Sequence, residues 1–575
     1  MPREKWFSFG SYRLQTPGAL LYRGKELVPL PPKVAQTLQL LVEKAGEVVE
    51  KDELLKKVWQ DAFVEEGSLA RTISVLRKTL GDGNDGQEYV ATLSKRGYRF
   101  VVPVREGPKL QENSDRKFML AVLPFENLSG DAEQEYFSDG LTEEMITQLS
   151  RLNPERLAVI ARTSAMMYKG TKKRIAEIGK ELSAGYILEG SVRRSGKRLR
   201  ISAQLILVAD ETHVWAENYE RSLGDILMLQ SEVARAIAQE IQVTLTPREE
   251  RRLARAQRVS AEAYEAYLKG RHSWNTRTEE GMRKSISFYE EAIREYPDYA
   301  MAHAGIADSY VMLACRGMVP AKETFRKARA AARLAMDLDS ALGEAHGSLA
   351  HVRLHDWDWE GLEKDFERAL ELDPSQAIVY YWFGEYLMSM GRPEEAIAMT
   401  KRAYQLDPLS PVIGASLAMI LYLARRFDQA LEVLKRVQEI HREHFLPYLR
   451  MGLVLVQKRQ FKQAIAALKQ AVRLANQSTE TQAALALAHA AAGEKKTALH
   501  LTDALEKSQT QRYVLPYNIA KIYAAGGDSK KAFAWLGKAY DEGNPDLIEL
   551  NSEPVFDGLR KDPRFTGLMK HVGWK

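Results

Sequence analysis

The stretch 68-SLARTISVLRKTL-80 decides how the first hundred residues are read. Leu69, Ile73, Leu76 and Leu80 recur at spacings of four, three and four, which draws one apolar stripe along a helix. Arg71, Thr72, Ser74, Val75 and Lys78 fall on the other side, and the segment carries three positive charges and no acid. A helix packed by one face and basic on the other is expected to touch something negatively charged.

On the N-terminal side, strand-like pieces run from Trp6 to Leu14, Leu20 to Tyr22 and Lys25 to Leu30, followed by helical patterns at 32–45 and 52–59. On the C-terminal side, 89-YVATLSKRGYRFVVPV-104 alternates and is broken by Gly97, which reads as a β-hairpin. Residues 1–105 hold 17 Lys+Arg against 13 Asp+Glu, with the excess in 68–80 and 89–105. Strands, three helices and a closing hairpin make a winged helix. The segments 58-VWQDAFVEEGSLARTISVLRKTLGD-82 and 92-TLSKRGYRF-100 resemble the DNA-binding domain of OmpR/PhoB-type transcriptional regulators.

The resemblance implies double-stranded DNA as partner, with 68–80 as recognition helix in the major groove, where base edges carry a readable donor and acceptor code. Arg71 and Thr72 are then expected at bases. Ser68, Arg77 and Lys78 are expected at phosphates, which fix register without reading sequence. Lys95 and Arg96, at the hairpin tip, are placed for the adjacent minor groove or its phosphates. Tyr98 and Phe100 alternate with Arg99, so one face of that strand packs inward. Ser74 and Val75 stand where the family often has two arginines, which predicts weaker binding by a monomer. The loop 60-QDAFVEE-66 occupies the place that meets RNA polymerase in some relatives, although Phe63 reads better as a core residue. The chain begins directly with the first strands, so a regulator without a receiver domain is expected.

With 575 residues, three to five domains are expected. Hydrophobic content of 45% and charged content of 28% are ordinary for globular protein. The net charge of +5 is too weak to name a partner by itself. A single cysteine, Cys315, excludes an intrachain disulfide and a cysteine-based zinc site. The first residues lack the apolar core of a signal peptide. The longest apolar run, 412-VIGASLAMILYLA-424, is too short to span a bilayer. A cytoplasmic protein with no membrane partner is expected.

A polar linker, 106–117, leads to an α/β unit at 118–246. FMLAVLPF and LAVIA read as strands, 139–151 and 174–183 as helices, 186–220 as three successive strands, and 224–245 as a helix with an apolar stripe. The unit resembles the N-terminal domain of TolB, found between effector and repeat regions in many bacterial regulators. The resemblance implies no chemistry. The run 190-GSVRRSGK-197 has the wrong glycine spacing for a phosphate-binding loop and no helix after it. It reads as a solvated edge hairpin turning at Ser195-Gly196. Glu126, Asp131, Glu133, Glu135, Asp139, Glu143 and Glu144 read as loop and helix-start charges.

From about 260 the pattern is all helix and repeats every 34 residues: Ala396, Ala430, Ala464, Ala498 and Ala532 share one phase, Gly384, Ala418, Gly452, Ala486 and Ala520 another, and Pro374 and Pro408 a third. Small residues at fixed phase let two helices cross closely. The pattern resembles the tetratricopeptide repeat, with about eight repeats, and its superhelix is expected to leave a concave groove. The period puts Tyr381, Leu449 and Tyr517 on that face, with Met388, Tyr422 and Val456 a turn or two away. Such a groove is mainly apolar and suits an apolar peptide, a small apolar ligand or another part of this chain. His346, His351 and His355 cluster on one repeat; they read as free surface histidines, and no metal or other cofactor is expected.

The fold class is therefore multidomain: an α+β winged helix (1–105), the linker, a small α/β domain (118–246), an all-α tetratricopeptide-repeat superhelix (257–545) and a C-terminal cap (546–575). The function expected is a one-component, sequence-specific transcriptional regulator, not an enzyme, with the repeats as sensor, partner-binding or oligomerisation module. Its expected partners are DNA, on which it could dimerise, RNA polymerase, and a protein or peptide in the groove. The alternative is a repeat scaffold whose winged helix mediates protein contacts.

Overall fold

The computed structural model describes residues 5–16, 18–23, 26–59, 66–81, 88–94, 96–107, 118–131, 134–153, 156–196, 198–241, 245–246, 259–475, 478–509 and 513–574. Lys95, the loop residues 60–65 with Phe63, Glu133 and most of the 106–117 linker lie outside them.

The N-terminal domain contains, in order, β1 (Lys5–Phe9), β2 (Tyr12–Thr16), β3 (Leu20–Arg23), β4 (Glu26–Val28), α1 (Pro32–Glu43), β5 (Val49–Glu50), α2 (Lys51–Val58), α3 (Glu66–Leu80), β6 (Val90–Leu93), β7 (Gly97–Phe100) and β8 (Arg105–Gly107). One sheet runs β4-β3-β2-β1-β8 and a second, smaller one runs β5-β7-β6. Alternation decides which side chains enter the core: Phe7, Phe9, Tyr12 and Leu14 point in from β1 and β2, and Tyr98 and Phe100 from β7. They meet Leu38, Leu41, Leu69, Ile73 and Leu76 of α1 and α3.

The second domain contains β9 (Phe118–Val122), β10 (Glu126–Asn127), α4 (Glu135–Ser150), β11 (Leu157–Val159), α5 (Arg162–Met166), α6 (Ile175–Leu182), β12 (Tyr186–Ser195), β13 (Arg198–Leu207), β14 (Thr212–Ser222) and α7 (Ile226–Glu240). Its sheet has the order β11-β9-β12-β13-β14, with β10 beside β12. The basic hairpin is thus not at an edge. β12 and β13 are interior strands paired from Tyr186↔Leu207 to Ser195↔Arg198, and the edge belongs to β14. Arg194 leaves this hairpin to pair with Glu265 of the first repeat at 3.0 Å.

Among the described residues eight helix pairs follow, from Ala261–Asn275 to Ser529–Asp541. The small-residue phases sit where helices cross: a Cβ added at Gly452 would lie 2.3 Å from Leu468 Cγ, and one at Gly384 would lie 2.4 Å from Thr400 Oγ1. The first pair shares one core with the α/β domain, in which Leu141 and Phe137 meet Tyr264 and Leu268. Here a second expectation fails. Asp139, Glu143 and Glu144 are not helix-start charges but lie buried along α4. Arg271 of the first repeat and Arg162 hold Glu143, Lys169 holds Asp139 at 2.6 Å, and Tyr267 donates to Glu144 at 3.1 Å. Glu143 and Glu144 serve the joint between domains and Asp139 is paired within the α/β domain, because a buried carboxylate needs a partner.

The repeat period also docks the α/β domain. Asp373 and Asp407 precede the two phased prolines, 34 residues apart. The Ser150 hydroxyl donates to Asp373 at 2.8 Å, and the Ser164 backbone N–H donates to Asp407 at 2.9 Å. Arg151 adds an ion pair to Glu344 at 2.5 Å.

Candidate nucleic-acid interface and the repeat groove

The stripe of α3 is buried as its spacing requires, and Ser68, Arg71, Ser74 and Lys78 are exposed on the opposite face. The end of the helix is fixed twice. The Tyr12 hydroxyl donates to the Leu80 carbonyl at 2.9 Å. Gly81, in the left-handed region at φ +65°, donates its N–H to the Arg77 carbonyl at 2.9 Å, a closure that glycine makes without strain. Tyr12 is a residue that sequence reasoning missed; it lies 68 positions from the carbonyl it holds.

Two expected contact residues are placed otherwise. Thr72 is buried and donates its hydroxyl to the Ser68 carbonyl at 2.9 Å, so it faces the core rather than a groove. Arg77, expected at a phosphate, spends its guanidinium on the hairpin: Nε and Nη2 donate to the Val90 carbonyl at 3.0 and 2.8 Å, and Nη2 donates to Thr92 Oγ1 at 2.7 Å. It clamps the wing to the recognition helix. Val75 is half-buried against the core. Arg96 is exposed at the hairpin, beside Lys95, which lies outside the described residues. Gly97 is required by a close approach, since a Cβ there would lie 2.0 Å from the Val49 carbonyl oxygen.

The concave face of the repeats is occupied by the chain itself. Two 3₁₀ turns, Pro545–Glu549 and Pro554–Leu559, run along it. The Pro545 carbonyl meets His355 Nδ1 at 3.1 Å, Asn551 donates to the Ser389 carbonyl at 3.2 Å, and Tyr422 donates to Glu553 at 2.6 Å. Phe556 packs edge-on against Tyr517 with ring centroids 5.4 Å apart. Tyr381 and Met388 line a remnant cleft together with Ile548 and Glu549. The expected groove residues are therefore not an open surface: Met388, Tyr422, Leu449, Val456 and Tyr517 are buried and Tyr381 is half-buried. Of the occupants considered, another part of this chain is the one observed.

The segment brings carboxylates into this interior. Burial pushes Glu549 and Glu385 up to about 8 and Asp546 up to about 6. Lys521 lies 3.6 Å from Glu553, and the Arg450 guanidinium bears on Asp546 and Glu549. The histidines are a further correction. His351 and His355 are buried rather than on the surface, while His346 is half-buried. Trp382 stacks on the His351 ring at 4.0 Å and Phe325 on the His355 ring at 5.9 Å. Burial lowers the pKa of both, that of His355 to about 4.

Residues 24–100 match the family model described as transcriptional regulatory protein, C terminal. The N-terminal domain is an OmpR/PhoB-type winged helix. Behind the winged helix, residues 115–236 match the second domain of HilA/YgeH-like transcriptional regulators, and residues 387–449 and 447–478 match tetratricopeptide repeats. The chain is similar to a putative adenylate cyclase 3 of Rhizobium meliloti, 38% identical over 237 residues that cover 40% of this chain and 39% of that one. It is similar to the transcriptional regulator HilA of Salmonella typhimurium, 27% identical over 402 residues, 68% of this chain and 69% of the relative. It is also similar to the transcriptional activator CadC of Escherichia coli, 39% identical over 82 residues, 14% and 16% of the two chains. The chain thus spans well under half of the first relative's length and about two thirds of HilA's. Among the described residues no helix is long and apolar enough to cross a membrane.

Proposed function

We propose that the chain is a one-component, sequence-specific DNA-binding transcriptional regulator working in the cytoplasm. The observation that carries the reading is α3: a packed helix whose exposed face shows Ser68, Arg71, Ser74 and Lys78, with the wing clamped beside it by Arg77. Arg71 is the base reader, able to meet a guanine in bidentate fashion, with Ser74 beside it. Ser68, Lys78, Lys95 and Arg96 meet phosphates. The similarity to the transcriptional regulator HilA and the transcriptional activator CadC supports this reading. RNA polymerase is the proposed partner of the loop at 60–66, and two copies pair on DNA.

The repeats serve as the sensing or partner-binding module, and a peptide or protein partner must displace or extend the segment at 545–559. The chain acts by binding and not by catalysis. Asp139 and Glu143 of α4 are taken up by Lys169, Arg162 and Arg271, Glu144 accepts from Tyr267, and the similarity to the cyclase-named relative covers 39% of that protein.

The test is binding of the full chain to DNA from its own promoter region, with random DNA as control, across a salt series. Preference for the promoter is expected. Arg71→Ala should lower promoter affinity by about 1–3 kcal/mol and leave random DNA nearly unaffected, whereas Lys78→Ala should weaken both and reduce the salt slope by about 1. Absence of binding even at low salt would put the scaffold reading, with a protein-binding winged helix, in its place.

A further inference from the structure

The repeat superhelix encloses a group of metal-ligating side chains that DNA recognition does not use. Cys315 ends the helix Ala300–Cys315, and His351 and His355 lie one turn apart at the end of the helix Gly343–His355. One ligand atom from each of the three lies within 4.8 Å of the other two. We propose that Cys315, His351 and His355 form a three-ligand site for zinc or a metal of its class, inside the second and third repeats.

The two imidazole nitrogens lie close to the spacing of a tetrahedral centre, and the thiol lies within 4.8 Å of both. Zinc–nitrogen bonds of about 2.0–2.1 Å place two imidazole nitrogens about 3.3 Å apart, and a thiolate bonded at about 2.3 Å lies about 3.5 Å from each. The two Nε2 atoms face each other at 3.0 Å. His355 Nδ1 is turned to the Pro545 carbonyl at 3.1 Å. That contact puts the proton on Nδ1 and leaves the Nε2 lone pair aimed at His351, the outer-shell arrangement that orients metal-bound histidine. A bare histidine pair could fill the gap by one nitrogen donating to the other. Cys315 sets this group apart from such a pair, because a third donor of the right chemistry converges on the same point.

One cysteine argues against a site built on cysteines, yet a mixed site needs only one. Thiolate and imidazole are ligands for zinc-class metals, whereas magnesium and calcium take oxygen. Phe325 and Trp382 wall the site. Three protein ligands leave the fourth position for water or a small ligand. Because His355 also holds Pro545, the metal would sit at the entry of the segment that fills the groove.

The test uses the full chain, stripped by a chelator and titrated with Co²⁺ as a spectroscopic stand-in for Zn²⁺. Expected are saturation at one equivalent, the visible bands of tetrahedral cobalt and a near-ultraviolet thiolate charge-transfer band. Cys315→Ser should abolish the charge-transfer band, and His355→Gln should weaken binding by more than about tenfold, the lower bound for losing even an outer-shell partner. Pale, octahedral cobalt in the unaltered protein would overturn the site without recourse to any variant. So would tetrahedral cobalt held as tightly by Cys315→Ser as by the unaltered protein, with an unchanged far-ultraviolet circular dichroism spectrum.

Discussion

Arg77 shows how one side chain separates stability from recognition. Its guanidinium bridges α3 to the Val90 carbonyl and Thr92 hydroxyl, so Arg77→Ala removes charge-assisted hydrogen bonds that hold the wing. The winged helix should lose about 1–3 kcal/mol of stability, and DNA affinity should fall equally for promoter and random DNA. Arg71→Ala should instead leave thermal unfolding unchanged and lose discrimination. An Arg77→Ala protein with unaltered unfolding would remove the clamp from the account. The stripe of α3 was legible because four leucine and isoleucine positions repeat with the helical period. The roles at its shoulders were partly legible. At about 100° per residue, Thr72 and Arg77 fall roughly 70° either side of the stripe's midline, while Arg71, Ser74 and Lys78 fall more than about 120° from it. Position alone therefore separates the groove-facing residues from the two that turn back to the protein. Basic charge obscured that distinction for Arg77.

Elements depend on glycine for different reasons, and these predict different costs. At Gly97 an added Cβ would meet the Val49 carbonyl at 2.0 Å and Glu50 Cα at 2.9 Å, both backbone atoms of a paired strand. Gly97→Ala should part β7 from β5, costing on the order of 2–3 kcal/mol and weakening DNA binding through a displaced wing. Gly493, at φ +81° with nothing within 4 Å of its Cβ position, is a control: Gly493→Ala should cost only about 1 kcal/mol of backbone strain. Thermal unfolding of the two variants distinguishes clash from strain, and equal losses would mean that the wing yields. The repeats were the most legible elements, because Ala396 and its four equivalents recur at a fixed phase. The joints between elements were not. Arg271 with Glu143, or Ser164 with Asp407, join residues 128 and 243 positions apart, and no local period records such pairs.

At the scale of the molecule, the superhelix closes on its own tail. Trp359 donates to the Val572 carbonyl at 2.8 Å, and Trp357 stacks on Tyr540 with centroids 5.5 Å apart, so the third repeat touches the last. An apolar groove could be read from Tyr381, Tyr422 and Tyr517; that residues 545–559 fill it could not, because the segment has no repeat phase. Its acids make the closure sensitive to pH. Asp546, at about 6, and Glu549 and Glu385, at about 8, are raised by burial above unfolded values near 3.9 and 4.3. A raised pKa means that the folded state binds protons more tightly than the unfolded chain. The stabilisation from these groups is therefore complete below about pH 4 and is lost as pH rises through about 6 and then about 8. Arg450 and Lys521 oppose the effect, since their positive charge favours the ionised acids, whereas Glu480 and Glu553 add negative charge. Burial is the largest influence on each of the three carboxyls, so the net direction should stand. Hydrogen exchange at 545–559, corrected for the intrinsic rate, should show stronger protection at pH 5.5 than at pH 8.5, and Glu549→Gln should flatten the difference. Equal protection at both values would mean that the two cations offset burial completely, leaving the groove closed across this range.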